Sequence, residues 1–440
     1  MNKVTLLELN EFNKELLENA AIEFNLPSIK KMVEMTATST LTNDSYSSDF
    51  LEPWVQWVSV HTGTPSDVHK IKHLGDVPDL ERPQLWELLS DKGISSGIWG
   101  AMNASKASAS LCSFFMPDPW TESEKAYPEE LNALLDPLRL VSKNYLNPDK
   151  KTVLKLVGKL KDLFKSKALI KEIIKEIPRL LKGLIEFKGA HFVFIAFVEY
   201  VSVRLFLRYK DQYKPDFSLL FINTLAHIQH HHWHGDDYRN NKKLKFGLEY
   251  IDKSLGFIFQ SLDKDEYLVA TNALSQKNTN DEEPWILYRP LSHKAFLNAS
   301  GLYPKKIEEH MTHDAHLFFS SQEECKEAFK VLKEVKINQK PLFFIESYQE
   351  DPLKLFYRLE FTDPINSKEQ VTINSKKLDF LKFYQAIVER TGKHIPTGTI
   401  YSNTPIFPEK IKNHEINDFI LKLFNFKQID LSCLNEVESK

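Results

Sequence analysis

The stretch Trp57-Val-Ser-Val-His-Thr62-Gly63-Thr-Pro65-Ser-Asp-Val-His69 decides how the rest of the chain is read. It begins inside a segment of helical character, Trp54 to Val60. Upstream, Val4 to Leu9 is a short apolar run with one charge, the pattern of a buried strand, and a helical pattern follows from Asn13 to about Ala21. Downstream, Pro83 to Ser90 has helical character and ends in Lys92-Gly93, ahead of the strand-like Gly97-Ile98-Trp99-Gly100. These residues form a helix-stop-strand signature. Two more apolar runs, Phe217 to Ile222 and Tyr267 to Thr271, flank a helical stretch from Leu244 to Leu262. Strands alternating with helices predict an α/β fold: a doubly wound, mostly parallel sheet flanked by helices.

One segment departs in composition. From Lys150 to Lys188 there are twelve Lys or Arg against four Asp or Glu, with apolar residues at helical spacing from Leu156 to Leu181. It reads as a helical cap that Pro178 divides into two helices. Its basic face is either simply solvated or meets anionic lipid or an anionic polymer. The expected organisation is an α/β core over 1–120 and 205–440, a smaller α+β insertion at 283–390, and the helical, basic cap at 121–204.

A chain of 440 residues can bury a large core, and its net charge of −3 gives no pull toward nucleic acid, which is not expected as a partner. Cys112, Cys325 and Cys433 are too few and scattered for a disulfide framework or a zinc knuckle. The opening MNKVTLLELN has no signal-peptide pattern, and the most apolar run, Phe192 to Val203, is broken by Glu199 and too short to span a bilayer. The expected address is cytoplasmic, with peripheral contact at the inner face of the membrane through 150–188. There is no Walker loop, GxGxxG, CxxC pair or G-x-S-x-G elbow.

Six segments in order, and a closing one after them, resemble the alkaline-phosphatase superfamily, above all its phosphodiesterase/nucleotide-pyrophosphatase branch. Val4 to Asn10 resembles the opening strand that ends in a metal-binding Asp. Trp57 to His69 is similar to the W-x-S-x-x-TG-x-x-P-x-x-H-G-I stretch behind the nucleophile, the most specific of the matches. Pro215 to Phe221, with His230 and Trp233, resembles the strand leading into the D-x-x-x-H motif. Tyr250 to Gly256 and Tyr267 to Asn272 stand where the family has a helix and its SDHG strand. Gly392-Lys-His394-Ile-Pro-Thr-Gly398 is similar to the G-x-H-x-x-x-G that supplies a last metal-binding His, and Lys410 to Ile416 looks like the closing segment.

The resemblance implies two divalent cations and a Ser or Thr nucleophile between them. The sequence departs from it at those positions. Asn10 matches the opening Asp, Asn272 and Ala273 match the Asp-His of SDHG, and Ala226 matches the Asp before His230. The nucleophile position falls near Pro53 or Trp54, neither of which can attack. With three carboxylates missing, uncompensated buried charge of several kcal/mol per ion argues against two tightly held dications. The expectation is one divalent metal, zinc or manganese, or none. His230 and His394 are its ligands, with His227, Asn223 or Glu8 as a replacement.

The run His227-Ile-Gln-His230-His-His-Trp-His234 places imidazoles on one helical face, for metal or for ordinary hydrogen bonds. Glu8, Glu11 and Glu52 are carboxylates near the expected pocket mouth. Glu52, as a general base or a mere capping group, and His227 are the catalytic candidates. Asn10, Asn223 and Asn272 are candidate substrate contacts, since an amide both donates and accepts, or relics of lost carboxylates. Trp54 is core or a platform for a sugar ring. His313-Asp314 in Met-Thr-His-Asp-Ala-His316 is read as ordinary surface chemistry. The resemblance implies an enzyme acting on a phosphorylated, nucleotide-linked or lipid-linked sugar in bacterial surface-polysaccharide metabolism, by phosphoester hydrolysis or group transfer. The alternative is a catalytically inactive relative that binds such a ligand or a partner.

Overall fold

Eight strands build the main sheet of the computed structural model: β1 (Lys3–Leu9), β2 (Thr36–Leu41), β3 (Ser96–Trp99), β4 (Cys112–Met116), β5 (Phe217–Ile222), β6 (Glu266–Thr271), β7 (Thr397–Ser402) and β8 (Lys410–Lys412). The structure describes residues 2–45, 50–143, 167–188, 190–233, 239–280, 282, 286–310, 313–366, 369–387 and 391–425. The strand order is β8-β2-β7-β6-β1-β5-β3-β4. Only β7 runs antiparallel to its neighbours, and every other pair is parallel. Strand β1 sits at the centre, with Leu9 opposite Ile222 and Glu8 opposite Thr271.

Every residue from Val4 to Leu9 is buried, as a strand covered on both faces requires. Alternation along the strand divides its side chains between two apolar layers. Leu7 and Leu9 join the layer packed by α2 (His191–Tyr213), α3 (Thr224–His232) and α4 (Lys242–Ser261). Val4 and Leu6 join the layer holding Trp57, Val60, Leu85 and Ile420. The fold is therefore α/β with helices on both faces of a mostly parallel sheet. Helix α1 (Pro53–Thr62) starts with proline at its first position, where the missing N–H has no intrahelical partner to lose, and stops at Gly63, whose φ of 68° suits glycine.

Pro178 does not divide the basic segment: Lys167–Glu186 is one continuous helix that contains it. Ion pairs bracket the proline and hold both halves to the core, Glu172 with Arg204, Glu176 with Lys253 and Arg179 with Glu249. Tertiary contacts here outweigh the lost backbone bond. The part of the basic segment at 150–166 lies outside the described residues. The expected boundary at 204/205 falls inside α2, which packs against β3, β4 and β5. No helix among the described residues is long and apolar enough to cross a membrane.

The region after residue 283 carries an antiparallel sheet in the order Phe343–Ser347, Lys354–Leu359, Asp314–Phe318, Lys306–Glu309, with helix Gln322–Lys333 and an apolar cluster of its own. Buried polar groups tie it to residues 73–79. His316 Nε2 lies 3.2 Å from Asp76 Oδ1 and its Nδ1 3.0 Å from His310 Nε2, while His310 Nδ1 lies 2.9 Å from Asp314 Oδ2. Asp314 is only 5% exposed, which corrects its reading as surface chemistry. Cys112 and Cys325 are buried free thiols, and Cys433 lies outside the described residues.

Candidate functional site

The parallel strands β1, β5 and β6 deliver Asn10–Glu11, Asn223 and Asn272 to their carboxyl edge, where open α/β sheets bind ligands. Glu11 has φ 57°, a left-handed conformation that a side-chain-bearing residue keeps only when its surroundings over-determine it. Its Oε2 lies 2.9 Å from His230 Nε2 and 2.9 Å from His394 Nε2. Asn10 Nδ2 donates to Oε1 at 2.8 Å and Gln276 Nε2 to Oε2 at 2.5 Å. Helix α3 presents His230, and the Gly392–Ile395 strand, paired with Ser275–Asn278, presents His394.

The far side of each ring is also held. His230 Nδ1 donates to the Gly392 carbonyl at 3.0 Å. His394 Nδ1 lies 3.1 Å from the Leu51 carbonyl and 3.3 Å from Glu52 Oε2. A carbonyl can only accept, so Nδ1 carries hydrogen in both rings and both Nε2 atoms face Glu11. Burial opposes charge on Glu11, but His394 and His230 outweigh it and hold the carboxyl well below the usual range. Burial likewise opposes charge on His394, and the Glu11 and Glu52 carboxylates hold its pKa up at about 10.

These donors fit a divalent cation. One ligand atom from each of Glu11, His230 and His394 lies within 4.8 Å of the others. Two imidazoles anchored through Nδ1 and one carboxylate form a three-ligand set of the kind that leaves a position for water or substrate. One carboxylate neutralises half the charge of one dication, and the described residues around the cluster offer no second such group of ligands.

A cavity of about 510 Å³ opens over the cluster, and Glu52, Trp54, Asn223, His227, His230 and His394 all line it. Glu52 occupies the position before α1 without a side-chain cap bond, so its carboxylate is turned to His394. Pro53 and Trp54 line the cavity where the family resemblance expects a hydroxyl. Burial, then the neighbouring imidazoles, push His227 down to about 3, so at neutral pH its ring is uncharged. Asn223 Oδ1 accepts from Asn10 Nδ2 at 2.8 Å. Lys72 and Arg358 also stand on the wall, paired with Glu346 and Glu360, each at 2.8 Å.

Asn10 and Asn272 are not on the cavity wall. Asn10 is 1% exposed, bonded behind Glu11 to Asn223 and to the Trp57 indole. Asn272 is fully buried, donating to the Phe12 carbonyl at 2.7 Å and accepting from Thr399 N at 2.9 Å. Glu8 does not join the cluster either. Alternation along β1 turns it to the other face of the sheet, 2.8 Å from His61 Nε2. The carboxylate that meets the two histidines is Glu11. Its position beside Asn10 was a signal in the sequence, and the left-handed turn that aims it was not.

No protein-family profile and no curated protein matches the chain. Among solved structures it is similar to murine ectonucleotide pyrophosphatase/phosphodiesterase 5, inactive and in complex with AMP, at 11% identity and TM-score 0.45, over 98% of this chain and 96% of that one. The human ectonucleotide pyrophosphatase/phosphodiesterase 5 shows 12% identity and TM-score 0.44, over 97% and 96% of the two chains. Phosphonoacetate hydrolase from Sinorhizobium meliloti, in complex with phosphonoformate, is similar at 13% identity and TM-score 0.46, over 96% of this chain and 95% of that one.

Proposed function

We propose that the chain binds one divalent cation through Glu11, His230 and His394 and acts on a phosphoester in the cavity above them. The convergence of one buried carboxylate and two anchored imidazoles carries this reading. A cation held by these three residues would supply Lewis acidity toward a phosphoryl oxygen. Glu52, on the cavity wall, is the group that takes a proton from the attacking water. Arg358 and Lys72 offer N–H donors to the remaining phosphate oxygens. Trp54 offers a ring face to a sugar. The ligand class is a phosphorylated, nucleotide-linked or lipid-linked sugar, of the sort used in bacterial surface polysaccharides, and the chemistry is hydrolysis or group transfer without a covalent intermediate on a Ser or Thr.

A second reading, a relative that binds its ligand without turnover, is favoured by Pro53 and Trp54 at the start of α1, where no hydroxyl is available. Hydrolysis of bis(p-nitrophenyl) phosphate by zinc- or manganese-loaded protein separates the two. The catalytic reading predicts turnover that Glu52→Gln lowers by about 100-fold or more with metal retained. Loaded protein without turnover of this probe or of a sugar phosphodiester supports the binding reading.

A further inference from the structure

Away from the cluster the cavity wall changes character. Helix α2 presents Phe194, Val198 and Ser202 along one face, at four-residue spacing, and all three line the cavity. Trp120 and Leu138 line it too. Phe194, Val198, Trp120 and Leu138 are each half-buried, so apolar surface stays reachable from the cavity.

The wall here is mainly apolar, and two of its polar side chains are already engaged. Ser202 Oγ accepts from the Trp99 indole at 2.8 Å. The Glu199 carboxylate accepts from the Asn223 N–H at 2.6 Å and the Thr224 N–H at 3.0 Å, which turns it to the start of α3. The loop carrying Trp120 is clamped from below: buried Asp118 accepts from the backbone N–H groups of Asn103 and Trp120, each at 2.7 Å, and of Thr121 at 2.9 Å. This wall is set before any ligand arrives. Beyond the hydroxyls of Ser142 and Ser202, a sugar or nucleobase lodged here would leave most of its polar groups unpaired. A hydrocarbon chain has none to satisfy and gains from every methylene it buries.

We propose that the cavity takes a phosphate ester bearing a single hydrocarbon chain, with the head near Glu11, His230, His394 and Arg358 and the chain against Phe194, Val198, Trp120 and Leu138. This rests on reading the cavity as the ligand site, and within that reading it selects a lipid-type over a nucleotide-type ligand.

The test is calorimetric titration of the full-length protein with butyl, octyl and dodecyl phosphate below their aggregation concentrations, and with uridine monophosphate. Affinity is expected to rise about threefold to fourfold for each added methylene that is buried, and the nucleotide is expected to bind more weakly than octyl phosphate. Val198→Asn should remove at least tenfold of the dodecyl affinity while leaving butyl phosphate unchanged. Phe194→Trp, which keeps the wall apolar but narrows it, should weaken only the longer probes. A flat series in protein that holds its metal, or a nucleotide that binds more tightly than the octyl probe, overturns this inference and leaves the metal-site reading standing. A steep series in protein that holds no metal supports the chain site and removes the metal-site reading.

Discussion

Asn10 donates from Nδ2 to Glu11 Oε1 across 2.8 Å. The same nitrogen donates to Asn223 Oδ1 at 2.8 Å, while Asn10 Oδ1 accepts from Trp57 Nε1 at 2.8 Å. A carboxylate at position 10 would still accept from Trp57 but would have nothing to donate. The amide therefore supplies a hydrogen bond to the buried carboxylate that His230 and His394 keep ionised. The negative group of this site is Glu11, with an amide beside it at position 10.

Asn10→Asp should lower the stability of metal-free protein by about 3 kcal/mol, because two carboxylates would then share one buried network. Chemical denaturation with and without zinc measures this. Added zinc is expected to recover more stability in the variant than in wild type.

The sheet was legible from its residues. Val4 to Leu9 and Phe217 to Ile222 are mostly apolar, as strands covered on both faces must be, and both lie buried at the centre of the sheet. His230 and His394 were legible because each belongs to a spaced motif. Three features were not. The aim of Glu11 depends on a backbone turn with φ 57°, which glutamate does not advertise. The unbroken helix around Pro178 depends on ion pairs to residues as distant as Glu249 and Lys253. The burial of Asp314 depends on His310 and on a sheet whose strands alternate too briefly to read.

Gly392 holds the site from behind. A Cβ there would lie 2.8 Å from the Gln229 carbonyl oxygen and 2.0 Å from Gln276 Oε1, so backbone would have to move. The Gly392 carbonyl is also what fixes His230 Nδ1. Gly392→Ala should weaken zinc binding by about 10- to 100-fold, the usual effect of disturbing a ligand's outer partner. Competition against a chromogenic chelator reads it.

Three buried histidines make the fold acid-sensitive. Burial pushes His69 and His316 down to about 4 and His293 down to about 3, against the opposing pull of nearby carboxylates. Between those values and the ordinary 6.5, the unfolded chain binds protons that the folded chain refuses. Stability therefore falls as pH drops below 6.5, by about 1 kcal/mol per pH unit for each group. Below about 4 the depressed carboxyls of Asp76 and Asp314 add to the loss. Urea denaturation from pH 6.5 to 5, where the contribution of His394 is already constant, should show a steadily falling midpoint, and a flat profile would contradict the assignment.

Along helix Lys167–Glu186, Ile174, Ile177, Leu181 and Ile185 are exposed, next to Lys171, Lys175 and Lys182. We propose, from this amphipathic basic face alone, a contact with an anionic lipid surface. Co-sedimentation with phosphatidylglycerol vesicles should exceed that with phosphatidylcholine, and Glu at the three lysines should abolish the difference. Equal partition of wild type into both would remove this contact.

Elemental analysis of full-length protein, loaded with zinc or manganese and then freed of excess by gel filtration, tests the account most directly. It should find one divalent ion per chain in wild type and none after Glu11→Gln or His394→Ala. Two ions per chain, no ion in wild type, or an ion that survives Glu11→Gln would contradict a cation site built on the Glu11 carboxylate.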